Sequence, residues 1–137
     1  VEYVKRICES DAWMAEHLLL VGEIRDRKRL YELYAKSKIM CMTSRSEGFC
    51  IAILEAMYFG AYPILTDFGR SVTNHNQYGS IVPQNNVNIL TEVLEKIAQD
   101  GALSELNFAV EKFAQESFSY DVWTKKLDEY LTDLLTR

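Results

Sequence analysis

Short apolar runs that alternate with helical segments constrain the fold of this chain more than any other feature. Each run is brief and nearly continuous, as expected for a strand that is buried on both faces of a sheet. The runs occupy residues 17–21, 39–42, 62–65 and 80–82, and helical patterns at 28–37 and 50–59 separate the first three. Strands that alternate with helices are joined by right-handed crossovers. This order therefore predicts an α/β fold with a Rossmann-like parallel sheet flanked by helices.

Helical patterns also occupy both ends of the chain. Helices are predicted at 2–10, 86–99, 102–116 and 121–135. Several aromatic residues fall at helical spacing, which predicts that they pack in the core; they are Tyr31, Tyr34, Trp123 and Tyr130. Because no repeat, linker or low-complexity segment interrupts the pattern, residues 1–137 are predicted to form a single domain with C-terminal helices.

Composition argues against several classes of protein. A net charge of −5, without a basic cluster that includes aromatics, argues against a nucleic-acid partner. No apolar run approaches the ~20 residues that a membrane span needs. The three cysteines lack metal-type spacing, so neither a zinc site nor a disulfide framework is expected. A reducing cytoplasm is the predicted location.

Polar segments follow three of the predicted strands. They cover residues 22–27, 43–49 and 66–70 and contain Gly, Ser, Glu, Asp and Arg. In open parallel sheets, ligands bind beyond the carboxyl ends of the strands, so these segments are predicted to converge on a binding site. Asp67 and Arg70 are interpreted as a turn aspartate with an exposed arginine rather than as part of that site.

Two carboxylates, Glu47 and Glu55, lie eight positions apart across a predicted loop-to-helix junction. The chain has 13 glutamates, so chance gives roughly one pair at this spacing, and the spacing alone decides nothing. One interpretation is a capping glutamate plus a core glutamate with a structural partner. The other is that both accept hydrogen bonds from a polyol: Glu55 from the two hydroxyls of a ribose, and Glu47 from a sugar.

The start of this predicted helix has the properties of an anion site. Gly48 allows the backbone to approach a ligand closely. The first free amides of the helix, together with its dipole, would suit a diphosphate. These amides belong to Phe49, Cys50 and Ile51.

The sequence around the two glutamates closely resembles a known signature. Residues 44–67, SRSEGFCIAILEAMYFGAYPILTD, resemble the signature of retaining GT-B-fold glycosyltransferases of family 4, the glycosyl transferases group 1. Flanking segments that resemble the same family are LLLVGEIRDRKRLYELYAKSKIM, GSIVPQNNVNILTEVLEKI and FSYDVWTKKLDEYL. The resemblance covers nearly all of residues 17–135 and implies the C-terminal, donor-binding half of a GT-B fold.

The resemblance implies a role for each matching residue. Glu47 would be the catalytic residue that contacts the donor sugar, and Glu55 would bind the ribose. The amides near Gly48 would meet the diphosphate, and Gly22 and Ile24 would lie against the nucleobase. The family generally needs no metal and no cofactor, since its donor substrate is a nucleotide diphosphate sugar. A hexose would be transferred to a glycan or lipid-linked acceptor in polysaccharide biosynthesis.

The chain also departs from the family pattern. Cys50 stands where glycine is usual, so its side chain could crowd the sugar or point away. Three parts of the family pattern have no match in this chain. They are the basic residues that clamp the phosphates, the first strand of the domain, and the N-terminal acceptor domain. The chain is therefore expected to be a fragment that is inactive by itself. The alternatives are a non-catalytic nucleotide-sugar-binding module and a GT-B-fold sugar-nucleotide epimerase. Basic residues such as Lys5 and Arg6 could support peripheral membrane association, although a solvated face is the preferred interpretation.

Overall fold

The computed structural model describes residues 2–48 and 50–136, apart from the side chains of Cys8 and residues 133–136. The chain divides into two compact units, Val1–Leu30 and Tyr31–Arg137, and each is described by itself. The seven described α-helices are α1 (Glu2–Ser10), α2 (Ala12–His17), α3 (Arg27–Lys36), α4 (Ile51–Tyr58), α5 (Val87–Gln99), α6 (Leu103–Phe118) and α7 (Tyr120–Thr136).

The second unit contains a parallel sheet of three strands. They are β1 (Ile39–Met42), β2 (Tyr62–Leu65) and β3 (Ser80–Ile81), in the order β1-β2-β3. The register pairs Ile39 with Tyr62 and Ile64 with Ser80. The predicted α/β class and parallel sheet are therefore confirmed. The carboxyl ends of all three strands lie at one edge, where the polar loops begin.

The predicted strand at 17–21 is wrong. His17 is the last residue of α2, and its Nδ1 lies 2.8 Å from the Trp13 carbonyl oxygen. Residues 18–21 have no regular structure, and Leu19 is 79% exposed. A strand needs a neighbour to pair its peptide groups. The described part of the Val1–Leu30 unit contains helices and no strand, so the run at 17–21 has no neighbour to pair with there.

The core of the second unit forms where α4 and α6 pack against β2. Its fully buried side chains include Ile53, Met57, Ile64, Leu65 and Val110. All four residues of β2 are buried, which explains why this strand is apolar throughout. The predicted core positions of Trp123 and Tyr130 are wrong, because these α7 side chains are 59% and 62% exposed. Helical spacing identifies one face of a helix but not what covers it.

The connection from β2 to β3 packs tightly over the centre of the sheet. It begins with a 3₁₀ turn, Asp67–Gly69, and passes through three consecutive residues with left-handed φ, Asn74, His75 and Asn76. At Gly79 a Cβ would lie 2.7 Å from Pro63 Cγ and 2.8 Å from the Pro63 carbonyl oxygen. Only glycine fits there without displacing β2.

Candidate functional site

The loop that leaves β1 carries the first predicted glutamate. Glu47 and Gly48 are both exposed, at the edge of the sheet where its strands end. Apart from its two neighbours in the chain, no described residue would come within 4 Å of a Cβ built on Gly48. The space over this residue is therefore open, and a ligand could approach its backbone directly.

Two side chains from neighbouring segments hold this loop. Thr66, the first residue after β2, donates a hydrogen bond from Oγ1 to the Ser44 carbonyl oxygen at 2.5 Å. Gln84, which follows β3, donates from Nε2 to the Arg45 carbonyl oxygen at 2.7 Å. The start of the Glu47 loop is thus hydrogen-bonded to the segments that follow both other strands of the sheet.

Helix α4 begins directly after the loop, close to the predicted position. Cys50 is its N-cap residue and makes no side-chain capping hydrogen bond. The Ile53 amide donates to the Cys50 carbonyl oxygen at 3.2 Å and closes the first turn. The amides that precede Ile53, including that of Ile51, have no carbonyl acceptor within the helix and carry the positive end of its dipole. Phe49, the third predicted amide donor, lies outside the described residues.

The Cys50 side chain turns toward the end of the sheet. Its Sγ lies 3.3 Å from Met42 Sδ, at the last position of β1, and it packs at the border of the core. Of the two sequence interpretations, this contact favours a side chain that points away from the open space over Gly48. The cysteine therefore does not obstruct that space.

Glu55 is half-buried and lines a cavity of about 450 Å³ formed by residues of α3, α4 and α6. The other lining residues are mostly aromatic or aliphatic; they are Tyr31, Ile51, Leu54, Tyr58, Phe59, Ala114 and Phe118. The aromatic wall of the cavity consists of Tyr31, Tyr58, Phe59 and Phe118, and the Tyr31 and Phe59 rings lie 5.4 Å apart. Glu55 is the only acidic residue in the described lining. Such a cavity can hold a flat apolar group beside hydroxyls that bind the carboxylate.

The sequence also singles out Gly22, Ile24, Asp67 and Arg70. Gly22, with φ +73°, and the half-buried Ile24 belong to the Val1–Leu30 unit, and their contact with a nucleobase stays a prediction. Asp67 pairs with Arg70 at 2.7 Å, with both side chains more than half exposed, which agrees with their interpretation as a surface turn. Among the described residues, no group of three or more His, Cys, Asp and Glu could hold a metal ion.

Sequence reasoning missed the two side chains that hold the loop and the aromatic wall of the cavity. The sequence predicts a polar loop at residues 66–70 and no role for Gln84. A threonine directly after a buried parallel strand is a usable signal, because its hydroxyl must find a partner near the ligand edge. The aromatic wall had no sequence signal, since its members come from three helices that are far apart along the chain.

Comparison with known proteins gives two findings. The model of the family described as glycosyl transferases group 1 matches residues 5–116. An exopolysaccharide phosphotransferase from Streptomyces coelicolor is 31% identical over 117 residues. That alignment covers 80% of this chain but 12% of the relative, so the chain spans a small part of the relative's length. No described helix is long and apolar enough to cross a membrane.

Proposed function

This chain belongs to the glycosyl transferases group 1 family, and we propose that it is the donor-binding part of a retaining glycosyltransferase. The donor is a nucleotide diphosphate hexose, and the acceptor is a glycan or a lipid-linked sugar. The observation that carries this proposal is the junction at α4. Four features follow one another there along the chain. They are the exposed Glu47, the open space over Gly48, the start of α4, and the Glu55 carboxylate in a cavity lined by aromatic residues.

The diphosphate is assigned to the start of α4. Unpaired amides and the helix dipole favour a negative charge at that end of a helix. The open space over Gly48 admits phosphate oxygens close to the backbone. As the bond between sugar and diphosphate breaks, charge develops on the leaving diphosphate, and fixed amide donors stabilise it. Within residues 1–137 we assign this stabilisation to the amides at the start of α4, because the basic residues that the family resemblance implies have no match in this chain.

The nucleoside is assigned to the cavity beside Glu55. A carboxylate can accept hydrogen bonds from both hydroxyls of a ribose. Aromatic rings such as those of Tyr31 and Phe59 can hold a flat base by stacking. Glu55 lies one helical turn after Ile51, so the ribose and the diphosphate would occupy neighbouring parts of one site.

Glu47 is assigned to the transferred hexose. It precedes Gly48 and is exposed on the loop, where its carboxylate can accept hydrogen bonds from sugar hydroxyls. In this position it fixes the sugar relative to the leaving diphosphate, which is a positioning contribution to the rate. The proposal places acceptor binding outside residues 1–137, so this chain alone is expected to bind donor without transferring it. The working compartment is proposed to be the cytoplasm, where the free thiols of Cys41 and Cys50 would stay reduced.

Titration of the 137-residue chain with UDP, GDP, ADP and their hexose derivatives tests this assignment. Calorimetry should show binding of at least one nucleotide family. Glu55→Gln removes the charge at nearly constant shape, and we expect it to weaken nucleotide binding roughly tenfold or more. The control is Glu92→Gln, an exposed position of α5, which should leave affinity unchanged. No binding at millimolar concentration by the folded chain, or equal affinities for Glu55→Gln and wild type, would contradict the proposal.

A second candidate follows from the relative, which is named as a phosphotransferase and is much longer than this chain. The chain would then be a nucleotide-sugar-binding module without catalysis inside a larger polysaccharide-modifying protein. The two candidates differ in the effect of Glu47→Gln on a longer protein that contains this chain. If the chain is part of a glycosyltransferase, Glu47→Gln should abolish sugar transfer. If it is a non-catalytic module, the substitution should change donor affinity and leave the turnover of the longer protein unchanged.

A further inference from the structure

We propose that Thr66, assisted by Gln84, is a positioning residue that holds the Glu47 loop in the geometry needed for the donor sugar. Neither residue needs to touch the donor. The inference rests on the proposed function for its ligand, but the order of the loop can be measured without any ligand.

The hydroxyl of Thr66 is committed to the loop rather than to its own segment. Thr66 is the N-cap residue of the 3₁₀ turn Asp67–Gly69, a position where threonine usually bonds to its own turn. Here it makes no such bond, and Oγ1 instead donates to the carbonyl oxygen of Ser44, 22 positions earlier in the chain. A local role in capping therefore does not explain this side chain.

Thr66 is itself rigidly placed. It is 1% exposed and follows β2, the central and most deeply buried strand. A β-branched side chain has few accessible rotamers, and burial restricts them further. Its hydroxyl therefore fixes the Ser44 carbonyl group relative to the centre of the sheet.

Gln84 extends the same restraint to the next residue. Its amide donates to the Arg45 carbonyl oxygen from the segment after β3. The carbonyl groups of Ser44 and Arg45, three and two positions before Glu47, therefore accept hydrogen bonds from the segments that follow β2 and β3. Gln84 is exposed, so its bond competes with water and should contribute less than that of Thr66.

The consequence is a loop that is exposed but already ordered. An exposed segment of small and polar residues would normally lose conformational entropy when a ligand orders it. A loop held at residues 44 and 45 loses less, so the carboxylate of Glu47 meets the sugar at a lower entropic cost. The restraint should therefore affect the part of the affinity that comes from the sugar.

The first arm of the test uses ligand-free protein. Thr66→Val keeps the shape but leaves the Ser44 carbonyl group without its donor, whereas Thr66→Ser keeps the hydroxyl. We expect backbone ¹⁵N order parameters at residues 44–48 to fall from about 0.85 to below about 0.6 in Thr66→Val. Thr66→Ser should retain the wild-type values. Equal order parameters in wild type and Thr66→Val would overturn the inference, whatever the protein binds.

The second arm measures how much the sugar contributes to affinity. This contribution is the ratio of the Kd for UDP to the Kd for UDP-glucose. If the chain binds guanine nucleotides instead, GDP and GDP-mannose are compared. Loss of one hydrogen bond should weaken sugar-nucleotide binding by roughly three- to tenfold in Thr66→Val and leave the nucleotide alone unaffected. In a Glu47→Gln background, Thr66→Val should have no further effect. Equal weakening of both ligands, or additive effects in the double variant, would indicate a purely structural role and overturn the inference.

The two arms separate this inference from the proposed function. Absence of nucleotide binding by wild type contradicts the proposed function and the donor-related part of the inference. Disorder of the loop in Thr66→Val would still support the anchoring of Glu47 by Thr66.

Discussion

The centre of the sheet and the loop at its edge use glycine in opposite ways. Around β2, Gly79 sits against Pro63 and Thr73 with no room for a methyl group. At the edge, Gly48 faces open space. The first glycine is required by packing within the protein. The second has no packing reason to be a glycine, and under the proposed function the space over it is occupied by the ligand. Four substitutions test this comparison of regions: one in β2, two at these glycines and one in the connection from β2 to β3.

Ile64→Ala should be the most destabilising of these changes. Ile64 is fully buried in β2, and truncation of such a side chain removes buried apolar area and leaves a cavity. The expected loss is about 2–5 kcal/mol in the free energy of unfolding. Urea denaturation followed by circular dichroism measures it. A loss below about 1 kcal/mol would show that the packing around β2 is looser than described.

Gly79→Ala should destabilise the chain by about 1–3 kcal/mol or more, because the added methyl group meets backbone as well as side-chain atoms. The same denaturation experiment measures the change. An unchanged unfolding midpoint would remove the packing explanation for this glycine.

Gly48→Ala is the matched change at the loop. It should alter the free energy of unfolding by less than about 0.5 kcal/mol, since nothing lies near the new methyl group. Under the proposed function it should nevertheless weaken nucleotide-sugar binding, because the methyl group occupies space assigned to the ligand. Calorimetry on the folded variant tests both expectations. Strong destabilisation, or wild-type affinity, would end the contrast between the two glycines.

His75→Gly should have a small effect on the free energy of unfolding, and it should be stabilising. His75 has φ +53° within a run of three left-handed residues, and it is exposed. Glycine relieves that strain but gains more freedom in the unfolded state, so the net gain is expected to be about 0.5 kcal/mol. His75→Ala, which keeps the strain, is the control. Lower stability of the glycine variant would contradict the strain argument.

The strands of the sheet were predictable because buried parallel strands are local apolar runs. The predicted bounds of β1 and β2 agree with the structure at every residue, and the start of α4 differs by one. The run at 17–21 has the same apolar character but no partner strand among the described residues of its unit. A strand forms only beside another strand, and the sequence of one apolar run does not show whether a neighbouring strand exists.

The candidate site was predictable only in part for the same physical reason. Glu47, Gly48 and Glu55 lie in one continuous segment, so their order along the loop and helix followed from the sequence. The bond from Thr66 to Ser44 joins residues 22 positions apart, and the wall of the cavity combines α4 with distant parts of the chain. These contacts exist only once the sheet and helices are assembled.

The central claim is that the start of α4 and Glu55 form one donor site, and NMR chemical-shift mapping tests it most directly. A nucleoside diphosphate that binds the ¹⁵N-labelled chain is added stepwise, and shifts are followed for every amide. We predict the largest changes at the amides of Gly48 and Ile51, with further changes around Glu55 and the aromatic wall of the cavity. Saturable changes confined to other surfaces, with these amides unmoved, would contradict the assignment.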